Sequence, residues 1–394
     1  MNGSLRRSGN FEERKNVGKQ WKICVLPGDG IGPEVTRQAV KVYQTVADYY
    51  RIPAELDEAL IGGAALEKEG MPLPMSTLNR CRAADAILLG AVGDPKWDDQ
   101  SLAMRPESGL SALRAKMGLY ANLRPAVSFP ALEDVTPLPR SGGFDLIVVR
   151  ELSGGLYFGD KGIREEDGTR SAYDVESYSE KEIERIARYA FQVASQRRCD
   201  LVSIDKASML ESSRLWREVV ERIAPQYPQV SLRHLYADHA AMELVRNPKQ
   251  FDVILTSNLF GDLLSEEAAA LTGSVGLAPS ASLGYTAIGI YEAVHGSAPL
   301  LAGRDVANPV GAILSVAMML RYTYSLEMAS KAVEWSVMET LKRYRTADIA
   351  SPQFSPVGTE EMGNQVVEQL KKILPSVIPE PSAGAQENPG AKML

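Results

Sequence analysis

The sequence predicts an α/β protein built on a largely parallel sheet, and two observations support this fold class. Short apolar runs alternate with amphipathic stretches, and the first run ends in a glycine turn that leads into a helix. Buried strands that alternate with helices are typical of parallel sheets covered on both faces. No segment repeats with a fixed period.

The first predicted strand is Lys22–Leu26, and the turn Pro27–Pro33 joins it to a helix that runs from Glu34 to Tyr49. Apolar residues at helical spacing define this helix. The same alternation continues with strands at residues 86–89, 145–149, 201–204 and 252–256, and with helices at residues 182–194 and 213–223.

The glycine turn does not match a Rossmann nucleotide site. Its glycines are Gly28, Gly30 and Gly32, whereas the Rossmann turn requires the spacing G-x-G-x-x-G. Glu55 and Asp57 lie near the offset of the ribose-binding acid, but at no clear strand end. From the glycines alone, a strand-to-helix turn that needs positive φ is the simpler interpretation.

Composition argues against two classes of partner. The 394 residues include 43 Lys and Arg and 50 Asp and Glu, a formal net charge of −7, so no cationic excess is available to bind a phosphate backbone. No apolar run reaches the ~18 residues of a membrane span. We therefore expect neither nucleic acid nor a membrane as a partner.

The cysteines and the chain ends carry two further expectations. Cys24, Cys81 and Cys199 are widely spaced and form no CxxC pair, which predicts reduced thiols and a cytoplasmic protein. Polar residues 1–20 predict a flexible N-terminal tail, and Pro- and Gly-rich residues 375–394 predict a disordered C-terminal tail.

The densest cluster of candidate binding residues is Arg105–Arg114. We predict a helix that begins after Arg105, because Pro106 suits the first helical position. One mixed face of that helix holds Glu107, Leu110, Ser111 and Arg114. Such a face suits a binding wall, and a helix edge with a chance leucine is the alternative.

Two more arginines, Arg124 and Arg150, stand at predicted strand or loop ends. Planar guanidiniums bind carboxylates through paired hydrogen bonds, so this set favours a dicarboxylate ligand. Taken singly, each arginine is more often a surface residue.

Acidic residues predict a metal site. Asp262 and Glu266 are four positions apart, shortly after the strand at residues 252–256, and Asp238 precedes them in the chain. Oxygen donors one helical turn apart fit a hard divalent cation such as Mg²⁺ or Mn²⁺. On spacing alone, complementing a helix dipole is the favoured role of Asp262 and Glu266.

Lys206 and Tyr157 are candidates for proton transfer. Lys206 follows a buried strand, where it either shuttles a proton or extends to solvent. Tyr157 follows a paired glycine turn and either donates a proton or packs as an aromatic. The small-residue loop Tyr291–Pro299 suits close backbone approach to a phosphate or ribose.

Together these motifs resemble the β-hydroxyacid oxidative decarboxylases of the isocitrate/isopropylmalate dehydrogenase family. Each motif is weak alone, but the ordered set is specific. The resemblance covers residues 20–374, and its motifs are LPGDGIGPEV (26–35), the segments 105–114, 122–125 and 204–206, VRELSGGLYFG (149–159), NLFGD (258–262), PSASLG (279–284) and HGSAP (295–299).

The resemblance implies a metal- and NAD-dependent oxidation of the C2 hydroxyl of 3-isopropylmalate, followed by loss of the C3 carboxylate, as in leucine biosynthesis. It implies that Lys206 acts on the hydroxyl proton and that Tyr157 protonates the enolate. The implied substrate-binding residues are Arg105, Arg114, Arg124, Arg150, Glu107, Leu110, Ser111 and Met209. The implied metal ligands are Asp238, Asp262 and Glu266, with Asp238 also part of the catalytic group. The implied NAD-binding residues are Gly30, Ile31, Glu292, His295, Gly296, Ser297, Ala298, Leu300 and Asn308.

The implied fold has two domains with the site in the cleft between them, and it is not a Rossmann fold. Residues 21–120 and 274–374 would form the cofactor side, and residues 121–273 would carry the substrate and metal side and the dimer interface. In the family, Lys206 and Asp238 reach the site from the second subunit of a homodimer.

Several residues depart from the family pattern. Leu300 stands where an Asp usually bonds the ribose hydroxyls of NAD, and Glu266 stands where the metal-binding acid is usually Asp. Ser111 and Met209 replace a leucine and a valine of the substrate pocket, so another 3-substituted malate is an alternative substrate.

Two further alternatives rank lower. Glu107 and Leu110 disfavour isocitrate, homoisocitrate or tartrate as substrate. Retention of Lys206 and Tyr157 argues against a non-catalytic binding homologue.

Overall fold

The computed structural model describes residues 20–138 and 142–378, so the predictions for the two tails lie almost entirely outside the described residues. The strands are β1 (Trp21–Gly28), β2 (Ala54–Glu58), β3 (Ala86–Ala91), β4 (Leu119–Val127), β5 (Asp145–Glu151), β6 (Lys161–Glu166), β7 (Thr169–Asp174), β8 (Asp200–Asp205), β9 (Ser231–Tyr236), β10 (Val253–Thr256), β11 (Pro279–Gly284) and β12 (Ile290–Ala293).

Helices lie between most of these strands, as the alternation in the sequence predicts. They are α1 (Gly32–Tyr50), α2 (Gly62–Glu69), α3 (Met75–Arg82), α4 (Pro106–Lys116), α5 (Glu180–Ser195), α6 (Glu211–Ile223), α7 (Ala237–Arg246), α8 (Asn258–Leu271), α9 (Val310–Tyr322), α10 (Glu327–Leu341) and α11 (Thr359–Val377). None of the helices in the described part of the chain is both long and apolar enough to cross a bilayer.

Ten strands form one sheet in the order β2-β1-β3-β12-β11-β4-β5-β10-β8-β9, and β6 and β7 form a separate hairpin. The pairings on both flanks are parallel, which confirms the predicted α/β class. The sheet is largely parallel, as predicted, but the sequence did not predict its centre, where β11 is antiparallel to β12 and to β4, and β4 is antiparallel to β5. The sheet is therefore mixed, with its antiparallel strands in the middle.

One face of the sheet carries a continuous apolar core under α1, α5, α6 and α9–α11. The other face carries two separate apolar clusters, one under α2–α4 and one under α7 and α8. Because side chains alternate along a strand, the same central strands present apolar residues to the first face and polar ones to the gap on the second. This gap contains the candidate site.

The strand order separates the two predicted halves of the chain. Strands from residues 21–120 and 274–374 lie on the β2 side of the sheet, and strands from residues 121–273 lie on the β9 side, meeting at the β11–β4 pair. Only the start of β4, at Leu119, crosses the predicted boundary. The division into two domains stays a prediction.

Two local predictions differ from the structure. Glu55 and Asp57 lie within β2, whereas we expected no clear strand end there. Helix α11 continues to Val377 although the tail was predicted to start at Pro375. Pro375 has no backbone N–H, so the helix loses the hydrogen bond to the carbonyl one turn earlier. The helix tolerates this loss because Pro375 lies close to its C-terminal end. The three cysteines are free thiols, as predicted.

Candidate active site

The gap on the second face brings two of the predicted arginines onto one carboxylate. Arg124 leaves β4 and Arg150 leaves the end of β5 on the same face of the sheet. Nη1 of Arg124 lies 3.1 Å from Oδ1 of Asp262, and Nη1 of Arg150 lies 2.5 Å from the same oxygen. Asp262 is thus a shared acceptor for two almost fully buried guanidiniums.

Neutral acceptors also contact both arginines. Asn122 Oδ1 accepts from Arg124 Nε at 2.8 Å, and Ser265 Oγ accepts from Arg124 Nη1 at 2.9 Å. Asn258 Oδ1 accepts from both Nε and Nη2 of Arg150, at 3.0 and 2.7 Å. Amide and hydroxyl oxygens orient the guanidiniums without cancelling their charge.

Arg114 approaches the same gap from α4, as the predicted helix requires. Its Nη2 lies 2.6 Å from Oε1 of Glu292, and both side chains are largely buried. Three guanidiniums therefore face two carboxylates, Asp262 and Glu292. The surplus positive charge makes this gap suited to an anion.

The charges in the gap shift each other's pKa values. Burial lowers the pKa of Arg150, and the nearby charge of Arg124 lowers it further. Burial alone would raise the pKa of Asp262, but Arg150 and Arg124 outweigh it, so the pKa is lowered and the carboxylate stays ionised.

Tyr157 closes one side of the gap. Its hydroxyl donates to Oδ2 of Asp262 at 2.9 Å, and the guanidinium carbon of Arg150 lies 5.7 Å from its ring centroid. Burial and the charge of Asp262 raise the pKa of Tyr157. The phenol therefore keeps its proton at neutral pH and can donate it.

Arg105 lies at the N-cap of α4 as predicted, but its guanidinium donates to the backbone carbonyls of Asp98 and Gln100. No hydrogen bond or ion pair among the described residues joins Arg105 to Asp262 or Glu292, the carboxylates that the other three arginines contact. Glu107 lies near Gly93, which follows β3, because a Cβ built on Gly93 would lie 2.7 Å from Oε1 of Glu107.

The predicted pocket wall is open in a single copy of the chain. Leu110 packs against the α2–α4 cluster, whereas Ser111 is exposed. Met209 is 76% exposed, in the turn that follows Lys206. These residues do not form a closed pocket by themselves.

The predicted metal ligands fall into two groups. Asp262 and Glu266 share α8, with Glu266 exposed. Asp238 lies in the first turn of α7, where its Oδ1 is 2.5 Å from Nζ of Lys206, and this hydrogen bond lowers its pKa. Within residues 20–138 and 142–378, no three Asp, Glu, His or Cys side chains are close enough to hold a metal ion. One copy of the chain thus supplies the oxygen donors that Mg²⁺ or Mn²⁺ prefers, but in two separate places, with Asp262 and Glu266 on α8 and Asp238 on α7.

The two small-residue loops predicted to bind the cofactor contact each other. Ile31 N donates to Ser297 O at 2.8 Å, and a Cβ on Gly30 would lie 2.0 Å from that oxygen. Only glycine fits at position 30, which also has a φ of 56°. Ala298 has a φ of 39°, a strained value for a residue with a Cβ. Strain at this loop is typical of a binding site.

The donors and acceptors along the second loop fit a nucleotide in part. Nδ1 of His295 donates to Gly296 O at 2.8 Å, which leaves Nε2 as a buried acceptor without a partner among the described residues. Burial lowers the pKa of His295, so the ring is neutral and suits a ligand N–H such as an adenine amine. Asn308 is held by Asp348 at 3.0 Å. Leu300 is 89% exposed and offers no hydrogen bond to a ribose.

A cavity of about 750 Å³ lies on the opposite face of the central strands. Pro125 and Ile147 line it, and these residues point away from Arg124 and Arg150 by strand alternation. It contains none of the predicted site residues.

Sequence reasoning missed four residues that build this site. Asn122, Asn258 and Ser265 orient the guanidiniums, and Asp29 holds the first loop through three backbone N–H groups of Gly63, Ala64 and Gly93. Asn122, Asn258 and Asp29 all lie in the motifs that carry the resemblance. Their position in or directly after buried strands was the available signal.

The chain matches the family model described as isocitrate/isopropylmalate dehydrogenase over residues 22–366. A 3-isopropylmalate dehydrogenase of Pseudomonas fluorescens is 54% identical over 357 residues, which cover 89% of this chain and 99% of the relative. A 3-isopropylmalate dehydrogenase of Methylococcus capsulatus is 52% identical with the same coverage.

Solved structures show the same likeness. An isocitrate dehydrogenase from Methylococcus capsulatus has a TM-score of 0.79 and 35% identity, covering 89% of this chain and 100% of its own. A β-decarboxylating dehydrogenase from Thermococcus kodakarensis has a TM-score of 0.74 and 33% identity, covering 90% of this chain and 98% of its own. Fold and site thus define an enzyme of the oxidative decarboxylase class. The chain belongs to the isocitrate/isopropylmalate dehydrogenase family.

Proposed function

We propose that the protein catalyses the oxidative decarboxylation of 3-isopropylmalate to 4-methyl-2-oxopentanoate, with NAD as electron acceptor and Mg²⁺ or Mn²⁺ as the metal. The observation that carries this proposal is the surplus of guanidinium charge in the gap. Among the described residues, Arg114, Arg124 and Arg150 form ion pairs only with Asp262 and Glu292, so three guanidiniums share two carboxylates and can still bind an acidic ligand. The relatives named 3-isopropylmalate dehydrogenase support this choice of acid.

The side chains of this protein bind, orient and move protons in the proposed reaction. The guanidiniums fix the two carboxylates, so that the C2 hydroxyl faces the Lys206–Asp238 pair, which receives its proton. Loss of the C3 carboxylate as CO₂ leaves an enolate, and Tyr157 supplies the proton that converts it to the product. The raised pKa of Tyr157 keeps that proton available.

Asp262 and Glu266, completed by Asp238, would hold the divalent ion, and the loops around Ile31 and His295 would hold the dinucleotide. When bound, the ion polarises the C2 oxygen as a Lewis acid and NAD accepts the two electrons of the oxidation.

We infer that Lys206 and Asp238 belong to the site of a second copy of the chain. They pair with each other, and the described residues contain no three-carboxylate cluster within one copy. Exposed apolar side chains on α7 and α8, namely Met242, Val245 and Leu263, give these helices a surface suited to burial against another copy. A homodimer with two shared sites accounts for both observations.

The direct test is the reduction of NAD, followed by absorbance, with racemic 3-isopropylmalate. We expect a rate that depends on added Mg²⁺ or Mn²⁺ and disappears with a chelator. The absence of a rate with NAD or NADP would overturn the proposal.

A matched pair of variants tests the role of the guanidiniums. Arg150→Lys replaces three donating nitrogens with one, so we expect kcat/KM to fall by about 100-fold or more. Arg105→Lys serves as the control, because the hydrogen bonds of Arg105 within the described residues go to the backbone carbonyls of Asp98 and Gln100, and we expect a change below about threefold. Equal losses in both variants would show that Arg105 also binds the substrate.

A second candidate substrate is a malate with another 3-substituent. The exposure and flexible thioether of Met209, together with the exposed hydroxyl of Ser111, favour a wall that accepts other shapes. Steady-state rates across 3-alkyl and 3-aryl malates decide between the two candidates. A large advantage for isopropylmalate would exclude the second.

A further inference from the structure

Next to Arg150 in the chain, Glu151 has a completely buried side chain. Its Oε2 accepts from Ser153 N at 2.9 Å and from Gly154 N at 2.8 Å, and its Oε1 accepts from Ser153 Oγ at 2.6 Å. Three hydrogen bonds therefore fold the chain after β5 into a tight turn around this carboxylate. Burial raises the pKa of Glu151, so the ionised form needs a cation.

Arg185 on α5 supplies that cation. Its Nη2 donates to Glu151 Oε1 at 3.2 Å and to Ser153 Oγ at 2.6 Å. Its guanidinium carbon lies 4.3 Å from the ring centroid of Tyr120, and its Nη1 donates to Tyr285 Oη at 3.1 Å. The guanidinium is thus fixed by an anion, a ring face and a hydroxyl together.

The turn that Glu151 holds leads directly to Tyr157. Gly154 O accepts from Asn258 Nδ2 at 2.9 Å, and Asn258 Oδ1 in turn accepts from Arg150. The next residue, Gly155, accepts from Phe158 N at 3.1 Å, and this bond encloses Tyr157 in the turn. Tyr178 backs the turn so closely that a Cβ on Gly155 would lie 2.3 Å from its hydroxyl.

We propose that Arg185 is a positioning residue for the proposed reaction: by pairing with Glu151 it fixes the Ser153–Gly155 turn, which places the hydroxyl of Tyr157 at Asp262. This inference rests on the proposed function. Within the described residues, the hydrogen bonds and ring contacts of Arg185 go to Glu151, Ser153, Tyr120 and Tyr285, none of which is assigned to substrate, metal or cofactor. Its effect on the reaction passes through the turn.

The kinetic test compares three variants. Arg185→Gln removes the cation and shifts the proton donor, so we expect kcat to fall by about 10- to 100-fold while KM for isopropylmalate changes less than about threefold. Arg185→Lys keeps the charge opposite Glu151 and recovers part of kcat. Arg188→Gln is the matched control, since Arg188 lies on the same helix and pairs with Glu184 and Gln226 instead.

A crystal structure of Arg185→Gln gives a second readout that needs no activity. We expect the Ser153–Gly155 turn to move and the hydrogen bond from Tyr157 to Asp262 to be lost. An unchanged hydrogen bond would overturn the inference, and so would a kcat within twofold of wild type. A parallel loss of kcat and folded protein, without recovery in Arg185→Lys, would also overturn it and show a purely structural role.

The two readouts separate this inference from the proposed function. If wild type does not oxidise isopropylmalate, the proposed function fails, and the crystal structure alone decides the role of Arg185.

Discussion

At the scale of single residues, the carboxylate of Asp262 connects the charged groups of the candidate site. It accepts from Arg124, Arg150 and Tyr157, and it is one of the predicted metal ligands. Without a ligand, its carboxylate separates two buried guanidiniums that would otherwise repel each other. Its charge therefore contributes to folding as well as to binding.

This contribution predicts a pH-dependent effect of Asp262→Asn. The folded chain holds the pKa of Asp262 below its ordinary value of about 3.9, so the stabilisation is complete above that pH and is lost as the pH falls through the folded-state pKa. We expect the variant to lose about 2 kcal/mol of unfolding free energy at pH 7, with the difference shrinking below about pH 4. Urea denaturation at a series of pH values measures it.

Glu266→Gln is the control, because this exposed carboxylate lies on the same helix without a hydrogen-bond partner among the described residues. We expect a change below about 0.5 kcal/mol. A difference between wild type and Asp262→Asn that grows toward acid pH would contradict this account.

At the scale of elements, Asp29 organises the cofactor side. Its buried carboxylate accepts from Gly63 and Ala64 at the start of α2, at 2.8 Å each, and from Gly93 after β3 at 2.9 Å. The turn that carries Asp29 also contacts the second loop through Ile31 and Ser297. One side chain thus ties the ends of three elements to the proposed NAD site.

Asp29→Asn is expected to weaken this arrangement. The amide has one acceptor oxygen in place of two, and its NH₂ group faces backbone N–H donors, so we expect a loss of about 2 kcal/mol in unfolding free energy and a several-fold higher KM for NAD. Urea denaturation and steady-state kinetics measure the two effects.

Asp94→Asn is the matched control for this variant. Asp94 accepts from a single backbone N–H, that of Lys96 at 3.0 Å, and Asn serves almost as well at such a cap. Its ion pair with Nζ of Lys96, at 3.8 Å, lies near the surface and contributes little. If both variants lose the same stability, Asp29 has no special role in joining the loops.

At the scale of the whole molecule, the sequence predicted the alternation of strands and helices because apolar runs and amphipathic periods mark buried strands and half-buried helices. The antiparallel centre was not predictable in this way. Strand direction there depends on which strands meet across the sheet, and β4 and β11 are distant in sequence. The exposed hairpin of β6 and β7 lacks the apolar pattern of the other strands and was missed for that reason.

The sequence likewise predicted part of the candidate site. Residue types and motif order indicated Arg114, Arg124, Arg150 and Asp262, which the structure places together. Sequence did not indicate that Arg105 turns toward backbone carbonyls, because that depends on the path of the loop before α4. It also did not single out the acceptors that orient the guanidiniums, because the position of Asn122 and Asn258 in or shortly after a buried strand does not by itself show which side chain they contact.

The central claim is that each site combines the guanidinium cluster and Tyr157 of one copy with Lys206 and Asp238 of another. Mixed dimers of Tyr157→Phe and Lys206→Ala chains, purified through two different tags, test it most directly. If the sites are shared, one of the two in each mixed dimer is intact, so we predict about half of the wild-type rate from two nearly inactive parents. A mixed dimer no more active than its parents would contradict the claim.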